Sequence, residues 1–264
     1  MSTVLFDAPG PRAKRRHRQL AATFSVSLGL ILAWVIWRLI EAGSLTPVVF
    51  NDTFQNSNIE FLLGGLASTL TAAALAIVTS IFFGMLFAVA RLSDRGWVSW
   101  PAVAVIEFFR AVPLVLLVIG VWSSYKNTIG TLACLILALT LYNGSVLAEV
   151  FRAGLQAVPK GQSEAAYAIG LRKSQLTRLV LLPQAVKVML PTIISQCAII
   201  LKDTSLGYII LYPEVVRRTK QVANFVPNGA VLTYLTIAVV FILINYALST
   251  LAHRLETRLS STRE

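Results

Sequence analysis

The sequence predicts an all-α integral membrane protein with six transmembrane helices, one N-terminal helix followed by a five-helix core. Three observations carry that prediction. Of the 264 residues, 56% are hydrophobic and only 13% are charged, with a mean hydropathy of +0.72, whereas a soluble domain holds about 25% charged residues. Several uncharged runs reach the roughly 20 apolar residues needed to cross the hydrocarbon core of a bilayer. The basic residues gather at one set of ends of those runs, as the orientation of membrane helices requires.

The first element is a basic tail, 1–19, whose "RAKRRHR" precedes an apolar run at 20–40. The leading stretch is polar with two prolines, and no A-x-A site follows at a suitable distance. This run therefore reads as a retained extra helix rather than a cleaved signal. Five further spans are expected at 61–90, 98–122, 129–151, 188–211 and 230–252, forming a core at 61–252. A polar loop at about 153–187 lies between the fourth and fifth of the six, and a tail at 253–264 closes the chain.

An even number of crossings puts both termini on one side, and charge decides which. Sixteen Lys and Arg residues fall on the side of the termini, in the tails, at Arg91 and Arg95, and in the long loop with its flanks. Four fall opposite: Lys126, Arg217, Arg218 and Lys220. The excess marks the side of the termini and of the loop as cytoplasmic. A net charge of +11 raises nucleic acid as a partner. Cations interleaved with apolar spans serve orientation instead, so no nucleic-acid partner is expected and membrane lipid is.

Catalytic chemistry is not expected either. Cys134 and Cys197 lie in apolar runs and read as packing residues, and His17 and His253 sit in basic terminal stretches. No His/Cys/carboxylate set has metal-ligand spacing, and no clustered His, paired carboxylates or activated Ser suggests an intramembrane enzyme.

The second span carries a packing signal. Gly64, Ser68, Ala72, Ala76, Ser80, Gly84 and Ala88 recur at every fourth position, lining one slowly drifting face of a helix. Such small-residue stripes let helix backbones approach closely in lipid. The sequence leaves open whether the partner is in this chain or a second one.

Charged or polar groups inside spans are costly and point to function. Glu107 and Arg110, three apart and followed by Pro113, form one such set, with Pro113 expected to kink its helix. Glu149 and Arg152 repeat the spacing, and both pairs also fit plain ion pairs at the cytoplasmic interface. "TLYNGSVL" places Tyr142, Asn143 and Ser145 inside a span. "LKDTSLG" brings together Lys202, Asp203, Thr204 and Ser205, which suggests a helix broken at membrane depth beside a cavity. Arg110, Pro113, Tyr142, Asn143, Ser145, Lys202, Asp203, Thr204 and Ser205 are therefore candidates for a substrate path. Lysine or arginine would take a carboxylate, and Asp203 an ammonium or the lysine itself.

The loop reads as two short helices. Pro159, Lys160 and Gly161 interrupt the preceding helix, 162–169 gives about two turns, and Gly170 suits a left-handed cap. Ser174 suits the N-cap of a second helix running toward Pro183. Ala165, Ala166 and Ala168 are expected on an exposed face that another surface can approach.

Glu164-Ala165-Ala166, then Gly170, then Val180-x-Leu182-Pro183 resembles the EAA motif of ABC importer permeases, departing only in Val180 where that motif has Ile. "EFFRAVPLVLLV" is similar to the F-R-G-T-P-L segment of polar amino-acid permeases, with Ala111 and Val112 in place of Gly-Thr. "AEVFRAGLQAVPKGQSEAA" and "LKDTSLGYII" also look like that subfamily, and the overall likeness runs to permease subunits of actinobacterial glutamate importers. The resemblance implies a bacterial plasma-membrane permease of a homo- or heterodimer, with two cytoplasmic ATPase subunits and an extracellular substrate-binding protein. Its loop would form a coupling helix, with Gly161, Ser163, Glu164, Ala165, Ala166, Gly170, Leu182 and Pro183 as the ATPase-coupling residues. ATP and Mg would be bound by the ATPase partners and no cofactor by this chain. In accord with that, Lys173-Ser174 follows Arg172 where a P-loop needs glycine. The expected substrate is an amino acid, L-glutamate first, with glutamine, aspartate, arginine or histidine as alternatives. A secondary amino-acid transporter is the remaining class, disfavoured because no internal repeat is visible.

Overall fold

The computed structural model describes residues 11–260; the ends of both tails, 1–10 and 261–264, lie outside the described residues. Every described element is helical: α1 (Pro11–Glu41), α2 (Pro47–Thr53), α3 (Asn56–Arg91), α4 (Gly96–Ala111), α5 (Leu114–Gln156), α6 (Lys160–Ala168), α7 (Lys173–Leu176), α8 (Leu182–Asp203), α9 (Val215–Phe225) and α10 (Ala230–Ser260). A π turn (Thr177–Leu181) joins α7 to α8, and a 3-10 turn (Thr204–Tyr208) follows α8.

Five segments are long and apolar enough to cross a membrane, at Arg15–Glu41, Asn56–Arg91, Leu114–Gln156, Lys173–Tyr208 and Ala230–Ala252. The span expected at 98–122 is not one helix. Proline sterics push the preceding residue out of the helical region, and Val112 is extended (φ −78°, ψ 129°), so α4 ends at Ala111 and α5 restarts after Pro113. Pro113 breaks the helix rather than kinking it. The loop expected between 122 and 129 is also absent, because α5 runs on to a single non-helical residue, Gly130 (φ 78°, ψ 164°). A Cβ there would meet nothing within 4 Å, so the backbone angle alone calls for glycine.

The core is built on α3 and α5, with α8 against both. The small-residue stripe of α3 faces its own chain: Ala72, Ala76, Ser80, Gly84 and Ala88 are buried, while Gly64 and Ser68 at the start of the stripe are half-buried. At Gly84 an added Cβ would lie 2.8 Å from Leu147 Cβ and 3.0 Å from the Gly144 carbonyl oxygen. Gly144 in turn leaves room for Phe83, and Thr79 and Thr140 join the two helices through a 2.6 Å hydroxyl contact. Ile106, Leu135, Leu139, Leu147 and Ile200 fill the space around this contact. A second cluster, Val49, Leu62, Val215, Val222, Val226 and Ile237, seats α9 against α3 and α10. By contrast α1 is exposed from Arg15 to Glu41, the half-buried Leu39 aside.

Candidate functional site

The candidate path residues separate into two places. At the first, α5 meets α8. Asn143 is fully buried; its Nδ2 donates to Asp203 Oδ2 at 3.2 Å, and its Oδ1 accepts from Gln196 Nε2 at 3.0 Å. The orientation follows from chemistry, since an ionised carboxylate only accepts and must face the amide nitrogen. Gln196, one residue before Cys197 in an otherwise apolar run, was not legible as part of the set. The signal for it was only its amide side chain at that depth, seven residues before Asp203.

Around this core, Tyr142 and Ser205 are half-buried and Ser145 and Thr204 are buried. The last two satisfy themselves on their own helices, Ser145 Oγ donating to Leu141 O at 2.7 Å and Thr204 Oγ1 to Leu201 O at 2.6 Å. Lys202 is exposed beside Asp203. Local geometry explains the placement: α8 ends at Asp203 and tightens into the 3-10 turn at 204–208. That turn rotates Ser205 and Gly207 away from helical phase, and the close approach of Leu135 and Tyr212 to Gly207 leaves little room for a side chain there.

The second place is an ion network joining three helices. Arg91, at the end of α3, reaches Glu107 of α4 at 3.2 Å and also pairs with Glu149 of α5. Arg110 pairs with Glu107 at 3.5 Å. Arg152 grips Glu149 through Nε at 3.0 Å and Nη2 at 2.8 Å, and reaches Gln156 Oε1 at 2.6 Å. Arg110 thus finds its partner here and not at Asp203, and Pro113 is exposed just beyond it. Arg91 is the member that the i, i+3 pattern could not supply, because it comes from another helix.

In the loop, α6 ends as glycine chemistry dictates. Gly170 has φ +81°. Its N–H donates to Tyr167 O at 2.9 Å and that of Leu171 to Ala166 O at 3.1 Å, the paired bonds of a Schellman end. Glu164, Ala165, Ala168 and Gly161 are exposed and Ser163 is half-buried. Ala166, expected on the exposed face, is buried instead, because α6 folds back on the π turn. Gln184 Nε2, from α8, donates to Gln162 Oε1 at 3.3 Å. Ser174 does not cap the second helix. Arg172 holds the N-cap position, its N–H donating to Gln175 Oε1 at 2.9 Å, and Lys173 pairs with Asp94 of the α3–α4 turn.

Leu182 and Pro183 are exposed at the start of α8. Proline lacks an N–H and its ring crowds the carbonyl a turn earlier. The π turn just before it, with Leu182 N–H reaching back to Thr177 O, widens the backbone where that crowding falls. Helical structure therefore continues from Lys173 to Asp203.

Beyond the 3-10 turn, Glu214 is fully buried at the N-cap of α9, its carboxylate accepting from Val216 N–H at 2.7 Å and Arg217 N–H at 2.6 Å. Burial pushes its pKa up to about 7 against the pull of those two hydrogen bonds. Val215 N–H donates to Thr69 Oγ1 and Tyr212 Oη to Ser68 O, which ties this corner to α3. Among the described residues no group of three or more His, Cys, Asp or Glu is placed to hold a metal.

Residues 80–261 match the family described as binding-protein-dependent transport system inner membrane component. The chain is 36% identical over 230 residues to the glutamate transport system permease protein GluD of Corynebacterium glutamicum, covering 85% of this chain and 82% of that protein. It is 31% identical to the probable glutamine ABC transporter permease protein GlnP of Bacillus subtilis, over 79% of this chain and 98% of that one. Among solved structures it is similar to an amino acid ABC transporter crystallised with histidines, at a TM-score of 0.71 and 26% identity, covering 76% of this chain and 94% of that chain. The inward-facing MetNI methionine transporter shares the fold at a TM-score of 0.69 and 18% identity, over 78% of this chain and 99% of that chain.

Proposed function

The chain belongs to the family of binding-protein-dependent transport system inner membrane components, and from that premise we propose that it is the subunit through which L-glutamate crosses the membrane. As a member it is a multi-pass inner-membrane permease of an amino-acid ABC importer and is itself non-catalytic. ATP is bound in the ATPase partners, and the family implies assembly with those subunits and a binding protein.

The observation that carries the substrate reading is the Gln196–Asn143–Asp203 chain with exposed Lys202 beside it. A half-buried carboxylate held by one neutral amide is under-compensated. An amino acid's ammonium would complete it, while Lys202 would take a carboxylate through a charge-assisted hydrogen bond. GluD, named for glutamate transport, supports glutamate as the substrate. The likeness to GlnP supports glutamine as the second reading.

The coupling reading is supported by the geometry of α6. Exposed Glu164, Ala165 and Ala168 would dock on an ATPase, and the helical path from Lys173 to Asp203 would carry motion toward the substrate path. In the topology proposed here, α5 completes the crossing that α4 begins and then makes the next one. The break at Gly130 divides its 43 residues into legs of about 24 Å and about 39 Å at 1.5 Å per residue, of which the second alone spans the roughly 30 Å hydrocarbon thickness and the first does so with α4. The third crossing would then run from interfacial Trp97 and Trp100 to Trp122 and Tyr125. That makes six crossings, with both termini cytoplasmic, in a dimer with a second permease subunit.

Reconstitution with the ATPase and binding-protein partners tests the reading. Radiolabelled glutamate uptake should be competed by glutamate more strongly than by glutamine, aspartate, arginine or histidine. Asp203→Asn should cut it at least about tenfold with assembly unchanged. Stronger competition by glutamine or arginine, or unchanged uptake by the variant, would sink it.

A further inference from the structure

On the face opposite the basic loop, positive charge is scarce. Apart from Arg38, which is paired with Glu41, it amounts to Lys126, Arg217, Arg218 and Lys220. Three of these four lie on α9, eleven residues long. Orientation in the membrane disfavours cations on an outer face, so their concentration on one short helix calls for another cause. Arg218 is accounted for, donating to Phe61 O at 2.8 Å and lying over the Phe61 ring. Lys220 is met by the hydroxyl and ring of Tyr208 and Arg217 lies by the buried Glu214, so neither is paired with an exposed acid.

The pattern of α9 separates two faces. Val215, Thr219 and Val222 are buried, and Val226 just beyond the helix continues that face. Arg217, Lys220, Gln221 and Asn224, spaced i, i+3, i+4 and i+7, make a polar stripe on the other side. That stripe forms one wall of an open recess of about 520 Å³. Tyr208 and Leu211 form the opposing wall, with Tyr208 accepting from Lys220 Nζ at 2.5 Å. Leu211 has φ +65°, a left-handed angle that a leucine holds only where the surroundings impose it. From 204 to 229 the only acid is Glu214, and it is sealed beneath α9. The recess therefore presents two cations and two amides with no exposed acid among its lining residues, five residues along the chain from Asp203.

We infer that this recess is an outer capture site for a small carboxylate, in which Arg217 and Lys220 hold an acidic amino acid before it reaches Asp203 and Lys202. The inference rests on the permease reading above and adds the acidic class of substrate at a second position. The bidentate guanidinium and the ammonium meet the carboxylate, and Gln221 and Asn224 offer donors to its remaining lone pairs. An acidic patch of a docking protein is the competing occupant. The recess favours the small ligand, because its cations line a concavity walled by Tyr208 and Leu211 rather than a flat outward face.

The test uses the complete permease–ATPase complex in nanodiscs without its binding protein. Binding of radiolabelled glutamate and of glutamine is compared between wild type and Arg217→Gln/Lys220→Gln. Wild type should retain glutamate about fivefold better than glutamine at low salt, and the preference should fall as salt screens the cations. The double variant should lose the preference, while the binding-protein concentration that half-saturates ATPase stimulation stays unchanged. A variant that keeps the glutamate preference overturns the site. So does one that leaves glutamate binding intact but raises the half-saturating binding-protein concentration, which marks a protein-docking face. Glutamate uptake by the wild-type complex with its binding protein is scored separately, and its absence overturns the substrate reading alone.

Discussion

At the scale of single residues, Gly170 and Glu214 make the sharpest claims. A β-carbon at Gly170's φ of +81° costs about 1–2 kcal/mol, and it falls on both bonds that close α6. Gly170→Val should therefore abolish substrate-stimulated ATP hydrolysis in proteoliposomes. Gly170→Asn, which tolerates the left-handed region, should keep most of it. Equal behaviour of the two would remove the conformational explanation. Glu214 sets a pH dependence. Its folded pKa of about 7 lies above the ordinary carboxyl value of 4.5, so between those values the folded state binds more protons than the unfolded one. Stability accordingly falls as pH rises from about 4.5 through about 7 and is flat beyond, by up to about 3 kcal/mol in all. Hydrogen exchange of the α9 amides should report this loosening. Glu214→Gln, which keeps an acceptor for the Val216 and Arg217 amides, should flatten the profile.

At the scale of elements, the decisive contact is α3 against α5. Gly84→Ala puts a methyl 3.0 Å from the Gly144 carbonyl, an overpacking of about 1–3 kcal/mol. It should lower the melting temperature of the purified protein by roughly 5 °C. Gly120→Ala, whose Cβ meets nothing within 4 Å, should leave it unchanged or raise it. No loss at Gly84 would mean the two helices can part without cost. The stripe that makes this contact was legible because four residues nearly complete a helical turn, so a small-residue period of four shows in the sequence itself. The Gly170 cap and the helix end at Asp203 were legible for a similar reason: local chemistry dictates local backbone. What stayed hidden comes from elsewhere in the chain. Arg91 completes the Glu107 and Glu149 pairs from α3, and Gln196 completes Asn143 from α8, and neither partner leaves a mark in the sequence around the residue it serves. Pro113 was readable as a disturbance but not as a full break, since proline within a helical run is compatible with either a kink or an end. Ser174 lost the cap position because the extended residue that opens the helix is Arg172, two residues earlier, which leaves Ser174 inside the first turn.

At the scale of the molecule, topology rests on parity. Six crossings return the C-terminus to the side of the N-terminus, whereas five would leave them apart. Reporter fusions at each end should therefore both read as cytoplasmic, and opposite readings would mean that α5 does not turn at Gly130. The helical path from Lys173 to Asp203 joins loop and path residues in one body, and the π turn at 177–181 gives that body an unusual arithmetic. One spare residue is wound into it, so everything on the loop side is advanced by about 100° relative to a uniform helix. The region should tolerate changes of side chain far better than changes of count. Removing a single residue between 177 and 181 would leave both ends folded yet aim α6 at a different quarter of the compass from the one it faces now.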